Sequence, residues 1–204
     1  MNVTFSLDTD SDATVWPAMP LLGEGRGAAR DRKKWAVRTA ELLWALVDDE
    51  PDKKQVKKQT KMLAFELDAV AEQLPRTVPA HQVFLYVPDP RREFLTFLVH
   101  AGPSEGDVDA TLDELVQKNE PGAAQDPEVI DFDTDRLGRG KRSIRYFVAA
   151  KAEAMCVSVN YAWRIESLGI DVIVRTVGED IGWITANIDE FDAFARSLFV
   201  NLET

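Results

Sequence analysis

One cysteine, Cys156, and two histidines, His81 and His100, stand among the 204 residues. A lone thiol excludes an internal disulfide, so the expected home is a reducing cytoplasm. The scarcity of histidine and cysteine also leaves most nucleophilic and zinc mechanisms short of parts. No G-x-S-x-G, H-E-x-x-H, C-x-x-C or G-x-x-x-x-G-K-[ST] pattern occurs. No segment reaches the roughly 20 consecutive apolar residues that span a bilayer. The stretch from Met1 to Asp12 is polar and acidic, without the apolar core of a signal peptide, and no membrane association is expected. No proline follows Pro127, which suits uninterrupted strand pairing beyond it.

Positive charge is also in short supply. Lysine and arginine number 24 against 35 aspartates and glutamates, a net charge of −11. Phosphate repulsion therefore opposes general nucleic-acid binding. The imbalance is uneven along the chain: residues 25–61 carry eleven basic against six acidic side chains, and residues 104–135 one against eleven. Either two solvated surfaces or steering of a partner follows from such asymmetry.

What is present is a strong strand signal. Val157, Val159, Tyr161, Trp163 and Ile165 alternate with Ser158, Asn160, Ala162 and Arg164, the period of a strand with one buried face. Ile170, Val172, Val174 and Thr176 repeat the alternation after the turn Glu166-Ser167-Leu168-Gly169. Closing that turn sets Ile165 against Ile170, Trp163 against Val172, Tyr161 against Val174 and Arg164 against Asp171. A slip of one residue breaks every pair. Ile144, Tyr146 and Val148 read as a third strand beside Val157 to Tyr161, entered through a basic turn at Leu137 to Arg142. Ile188, Phe191, Phe194, Ala195 and Leu198 have helical spacing behind an Asn187/Glu190 capping box, and Phe199 stands beside them.

Earlier in the chain, Val3, Phe5 and Leu7 suggest a short edge strand, and Pro17 to Gly27 a loop. Two helices follow. The first carries Trp35, Thr39, Leu42, Leu43 and Leu46 on one face, widened by Trp44. The second starts near Pro51 and carries Val56, Leu63, Leu67, Val70 and Leu74, with Lys53, Lys54, Lys57, Lys58 and Lys61 along its outer side. Gln82 to Val87 and Phe94 to Val99 read as a hairpin covered on both faces. Asp107 to Lys118 reads as an acidic helix, and Glu128 to Asp133 as a strand with Ile130 and Phe132 inward. The aspartates near residues 8–12 and 131–135 lack the glycine and the closing glutamate of a calcium loop.

The expected architecture is one α+β domain over residues 1–204: a six- or seven-stranded, mainly antiparallel sheet packed by helices as an α/β/α sandwich. Residues 1–28 form an extended segment and residues 29–75 a helical hairpin. Residues 81–204 form the sheet, with helices at 107–118 and 187–200.

Three candidate surfaces follow. The strand registers place Arg145, Asn160 and Arg175 in one row, where two guanidinium groups flanking an amide suit a carboxylate or phosphate. That row is otherwise a wet sheet face, or it meets acids from residues 104–135. The five lysines Lys53, Lys54, Lys57, Lys58 and Lys61 oppose the dipole at a helix N-terminus, which favours a partner-binding role. A symmetric hairpin loop would set His81 opposite His100, a minimal zinc pair.

Leu137-Gly138-Arg139-Gly140, Arg145-Tyr146, Asn160-Tyr161-Ala162-Trp163-Arg164, Gly169-Ile170-Asp171-Val172 and Asp189…Asp192…Ala195-Arg196-Ser197 together resemble an uncharacterised family of small actinobacterial proteins. The order of elements resembles Mog1/PsbP-like domains. That resemblance implies an α/β/α sandwich on an antiparallel sheet and a role in binding or assembly, with no catalytic signature or cofactor. The expected function is a non-catalytic cytosolic binding or assembly module that recognises an anionic group or a protein partner. The alternative is a small carboxylate-based or metal-assisted hydrolase using His81 and His100.

Overall fold

The computed structural model describes residues 5–23, 25–47, 52–78, 80–149 and 153–202. In chain order the elements are β1 (Phe5–Thr9), β2 (Ala18–Met19), α1 (Arg26–Ala45), α2 (Lys53–Thr77), β3 (Gln82–Tyr86), β4 (Leu95–Pro103) and α3 (Val108–Leu115), then β5 (Glu128–Asp131), β6 (Arg139–Ala149), β7 (Ala154–Ile165), β8 (Ile170–Gly178), α4 (Ile181–Ala186), α5 (Ile188–Ser197) and β9 (Leu198–Leu202). The fold is α+β. Seven strands follow the order β2-β3-β4-β8-β7-β6-β5, and β1 with β9 makes a separate two-stranded sheet. The chain divides into two compact units, Asp12–Thr96, and Phe97–Thr204 with the N-terminal strand.

The second of these units is organised on β7. Its alternation is realised as expected: Trp163 pairs with Val172, Tyr161 with Val174, Arg164 with Asp171 and Ile165 with Ile170. On the other side Ile144 pairs with Val159 and Tyr146 with Val157. The even side chains of β7 and the odd ones are covered by different helices, so this unit is a three-layer α/β/α arrangement. On the odd face Phe97 meets Phe191 and Phe194 of α5 edge-on, with centroids 5.1 and 5.7 Å away. Phe132 lies edge-on to Tyr161 at 5.1 Å, and the Trp163 indole donates to the Phe132 carbonyl at 3.0 Å. On the even face Ala162 packs with Leu112 and Val116 around α3, joined by Val108, Leu115 and Val129. The small side chain of Ala162 is what lets this short helix approach the sheet.

Four expectations require correction. The presumed basic turn at residues 137–142 is mostly strand: β6 begins at Arg139, and the reversal is the bridge between Thr134 and Gly138, whose φ of 86° suits glycine. The terminal helix stops at Ser197, and Leu198–Leu202 instead extends to pair with β1, Leu7 facing Val200. Its capping box is absent, because the Asn187 amide donates backward to the Trp183 carbonyl at 2.7 Å across the end of the short helix α4. Ile130 keeps 39% of its surface exposed because β5 is the outermost strand, while Phe132 just beyond it is buried.

In the other unit α1 and α2 pack as the expected hairpin, tied by Arg32 to Asp68 at 2.7 Å and to Glu72 at 3.1 Å. The buried line of α1 is Ala36, Ala40, Leu43 and Trp44, rotated from the stripe of bulky residues, and it faces Leu63, Leu67 and Ala71 of α2. Leu42 and Leu46 are half exposed as a result. Alanines admit close helix approach that large side chains prevent, so the small residues set the interface. Pro51 lies outside the described residues; the α2 cap is Asp52, which accepts from the Lys54 amide at 3.1 Å. The loop expected before α1 contains β2, with Met19 buried, and Trp16 packs on Tyr86 at 4.7 Å.

Gly140 faces Trp163 across β6 and β7, and a Cβ built there would stand 2.3 Å from Trp163 Cδ1. Gly140→Ala is expected to cost about 2 kcal/mol or more by overpacking, measured as a fall in the urea midpoint. The same substitution at Gly102, where no atom lies within 4 Å of the added carbon, is the control.

Candidate functional site

The even face of the sheet in the Phe97–Thr204 unit gathers charged and polar side chains under α3 and the segments flanking it. Asn160 pairs with Ser143 on β6 and with Arg175 on β8, while Arg145 stands opposite Ser158. The row is therefore Ser143-Asn160-Arg175, with Arg145 one pleat along rather than in line, because the β6–β7 register differs by two residues from the expected one. Asn160 is fully buried and fully used: its amide nitrogen donates to Ser143 Oγ at 3.0 Å and Ser158 Oγ at 3.3 Å, and its oxygen accepts from Arg175 Nε at 2.6 Å.

The row is covered. Arg175 Nη2 donates to the Leu115 carbonyl at 3.2 Å, Ser143 Oγ donates to the Val116 carbonyl, and Arg145 Nη2 donates to the Pro121 carbonyl at 2.8 Å. Leu115 and Val116 close α3, so the sheet supplies donors to orphan carbonyls at the negative end of the helix dipole. Burial pushes the Arg175 guanidinium below its ordinary range; Glu120 opposes that shift and neighbouring Arg145 adds to it. Arg145 also lies over the Phe147 ring at 4.8 Å, and its Nε is buried without a hydrogen-bond acceptor among the described residues.

Toward the other end of α3 the contacts are ionic. Arg139 reaches Asp109 at 2.6 Å, and Lys141 reaches Asp113 at 2.5 Å. Arg164 is forked onto Asp171 at 2.7 and 2.8 Å, and its remaining donors hold the Glu105 and Gly106 carbonyls. The acidic segment is thus a lid of covalently attached counter-charge for part of the even face. Burial pushes the Asp113 carboxyl up, but hydrogen bonds from Lys118 and Lys141 outweigh it and hold the carboxyl below its ordinary 3.8.

A second network went unseen in the sequence. On the odd face, Tyr161 donates to Asp192 Oδ1 at 2.7 Å, and Arg142 joins Asp192 at 2.8 Å to Glu128 at 3.0 Å. Burial, then the Asp192 carboxylate, pushes the Tyr161 phenol well above its ordinary range. A phenol held protonated in this way is a structural donor and not a base. The spacing of Asp189 and Asp192 on an amphipathic helix was the available signal, but it does not reveal which strand residue lies beneath.

Of the remaining candidates, His100 shares the even face, in the row of Ile173 and Ala162, and His81 and the lysines belong to the other unit. His81 is exposed and precedes β3 in the Asp12–Thr96 unit, whereas His100 lies in β4 opposite Ile173. Among the described residues no group of three or more His, Cys, Asp or Glu side chains is placed to hold a metal ion. Lys53, Lys54, Lys57, Lys58 and Lys61 are all exposed on α2, and none forms an ion pair within 4 Å among the described residues. Phe65 was not singled out from the sequence, yet it is 75% exposed on the same helix, and Met62 is 48% exposed. Its place between the buried positions Leu63 and Leu67 was the readable sign that it points outward. Among the described residues no helix is long and apolar enough to cross a membrane.

These features define an α+β protein with a counter-charged, helix-covered sheet and an exposed basic-apolar helix face. No protein-family model matches the chain, and no curated protein matches it. Among solved structures it is similar to one described as LpqN, involved in cell envelope biogenesis of Mycobacterium tuberculosis, at 12% identity over 98% of this chain and 86% of that chain, with a TM-score of 0.49.

The Asp113 carboxyl, held low, stabilises the fold fully above 3.8, and that contribution is lost as pH falls through its lowered value. Asp113→Asn is expected to cost about 1 kcal/mol at neutral pH, where both partners retain some solvent contact. Urea titrations of the two proteins should converge as pH drops below the ordinary aspartate value; a gap independent of pH would contradict the assignment.

Proposed function

We propose that this chain is a non-catalytic binding module that engages an acidic protein partner through the outward face of α2. The carrying observation is Phe65, three-quarters exposed, on the helix face that also presents Lys54, Lys58 and Lys61. Lys54 with Lys58 and Lys57 with Lys61 are like charges at one-turn spacing, which weaken an isolated helix, and they oppose its dipole near the N-terminus. No carboxylate of the described residues offsets them within ion-pair distance. An acidic surface with an apolar recess would satisfy the lysines and cover Phe65 together, the aromatic acting as anchor and the lysines as steering charges. The net charge of −11 argues against nucleic acid as that partner. A cytoplasmic location, an actinobacterial family and a Mog1/PsbP-like assembly role belong to the same reading, the first supported by the single cysteine.

Affinity purification from a native host tests this. Wild type, Phe65→Ser and the triple variant Lys54→Glu, Lys58→Glu, Lys61→Glu would be compared at matched expression. A protein with an acidic surface retained by the wild type and lost from both variants is the expected result. An identical set of retained proteins in all three would refute the proposal.

A second reading is favoured by one observation, the buried Arg145 Nε near Arg175, which has no acceptor among the described residues. Two neighbouring guanidinium groups neutralised mainly by carbonyls suit a small oxyanion such as phosphate. Phosphate is then expected to raise the melting temperature of the wild type more than chloride at equal ionic strength, and to lose that advantage with Arg175→Gln. Equal effects of the two anions on the wild type would end this reading.

A further inference from the structure

The Phe97–Thr204 unit carries a shallow groove of about 440 Å³, lined by the β1–β9 ribbon, the turn before Gly138 and the turn joining β7 to β8. Its apolar lining is Ile165, Leu168, Phe199 and Val200. The ribbon register accounts for the aromatic. Leu7 of β1 is buried, and neighbouring side chains of a strand point to opposite faces, so Asp8 and its partner Phe199 lie on the side away from Leu7. Acidic groups surround this recess. Asp10 lines it, Asp8 stands across from Phe199, and the exposed Asp135 and Glu166 adjoin the lining residues Arg136 and Ser167 in the chain. Arg136 is the one cation among the described lining residues. It is paired with Asp10 at 2.6 Å and lies over the Phe199 ring at 5.1 Å, so its charge is already answered.

An apolar recess among carboxylates is the complement of the α2 face, where Phe65 is 75% exposed beside Lys54, Lys58 and Lys61. With the α2 reading as its basis, we infer that the acidic partner is a second copy of this chain. Phe65 of one molecule seats against Leu168 and Phe199 of the next, and the three lysines face Asp10, Asp135 and Glu166. Burial of the aromatic supplies the anchor, and the opposed charges fix which patch it meets. The two patches differ, so the contact is head-to-tail, and each assembly keeps a free α2 face at one end and a free groove at the other. The net charge of −11 on every copy opposes close approach, which makes this a weak association that grows with concentration.

Sedimentation velocity on the purified full chain, with no other protein present, tests this. The sedimentation coefficient of the wild type is expected to rise with concentration. The α2 triple variant (Lys54→Glu, Lys58→Glu, Lys61→Glu), Phe65→Ser and a groove variant (Asp135→Lys with Glu166→Lys) alter exposed positions, so circular dichroism should stay that of wild type. Each alone should associate about tenfold more weakly or less. The triple variant keeps its groove and the groove variant keeps its α2 face, so an equimolar mixture should form a dimer that grows no further. The inference is overturned if the wild type stays monomeric at every concentration, if the variants associate as the wild type does, or if the mixture sediments as its separate parts. A monomeric wild type beside a host protein still retained through Phe65 would remove the second copy and leave the α2 reading intact. An identical set of retained proteins for wild type and the α2 variants would remove both.

Discussion

The even face of the sheet in the Phe97–Thr204 unit is polar, and it is nevertheless buried. Arg164, Arg145, Asn160 and Ser143 are each less than a tenth exposed. Isolated charges in such positions would cost several kcal/mol apiece, so the arrangement holds only because the covering segment returns acceptors at matching positions. Arg164 shows the principle most fully. One edge of its guanidinium is matched by Asp171 from the neighbouring strand, and the other by two carbonyls of the approach to α3. The ionic pairs near the start of α3 and the carbonyl acceptors at its end fix both the position and the direction of that helix.

This explains the charge asymmetry along the chain. The segment 104–135 is acidic in part because it must answer Arg139, Lys141 and Arg142, which the β6 strand presents on its two faces. Charge that looks like an interaction surface in one dimension is internal complementarity in three. The lysines of α2 have no such answer among the described residues of their unit, and the contrast gives their exposure its meaning.

Much of this was legible in the sequence, and the reasons differ by element. The β7–β8 register followed from strict alternation plus a four-residue turn, because any slip would have put Arg164 among aromatics. The α3 stripe followed from four apolar residues at helical spacing. The inner line of α1 did not, since alanines carry little weight in a count of bulky residues but decide how closely helices approach. β9 was read as helix because Leu198 and Phe199 continue the helical spacing; its pairing with β1 is a contact across nearly the whole chain, which local periodicity does not contain. Asn160 and Arg175 fall in one row as expected and Arg145 shares their face two residues out of line, but their cover lay in a segment whose path depends on Gly106, Gln117 and Gly122 in left-handed conformations.

The ribbon formed by β1 and β9 carries a kinetic consequence. Phe5–Thr9 are synthesised well before Leu198–Leu202, and their hydrogen-bonding edge stays vacant until that later strand has also emerged. Loop-closure entropy makes so distant a pairing slow, and an apolar strand such as Phe5-Ser6-Leu7 is exposed to mispairing over that interval. Asp8 and Asp10 at the end of that strand act as charged gatekeepers over the interval, and Asn201 and Arg136 take them up when the ribbon closes.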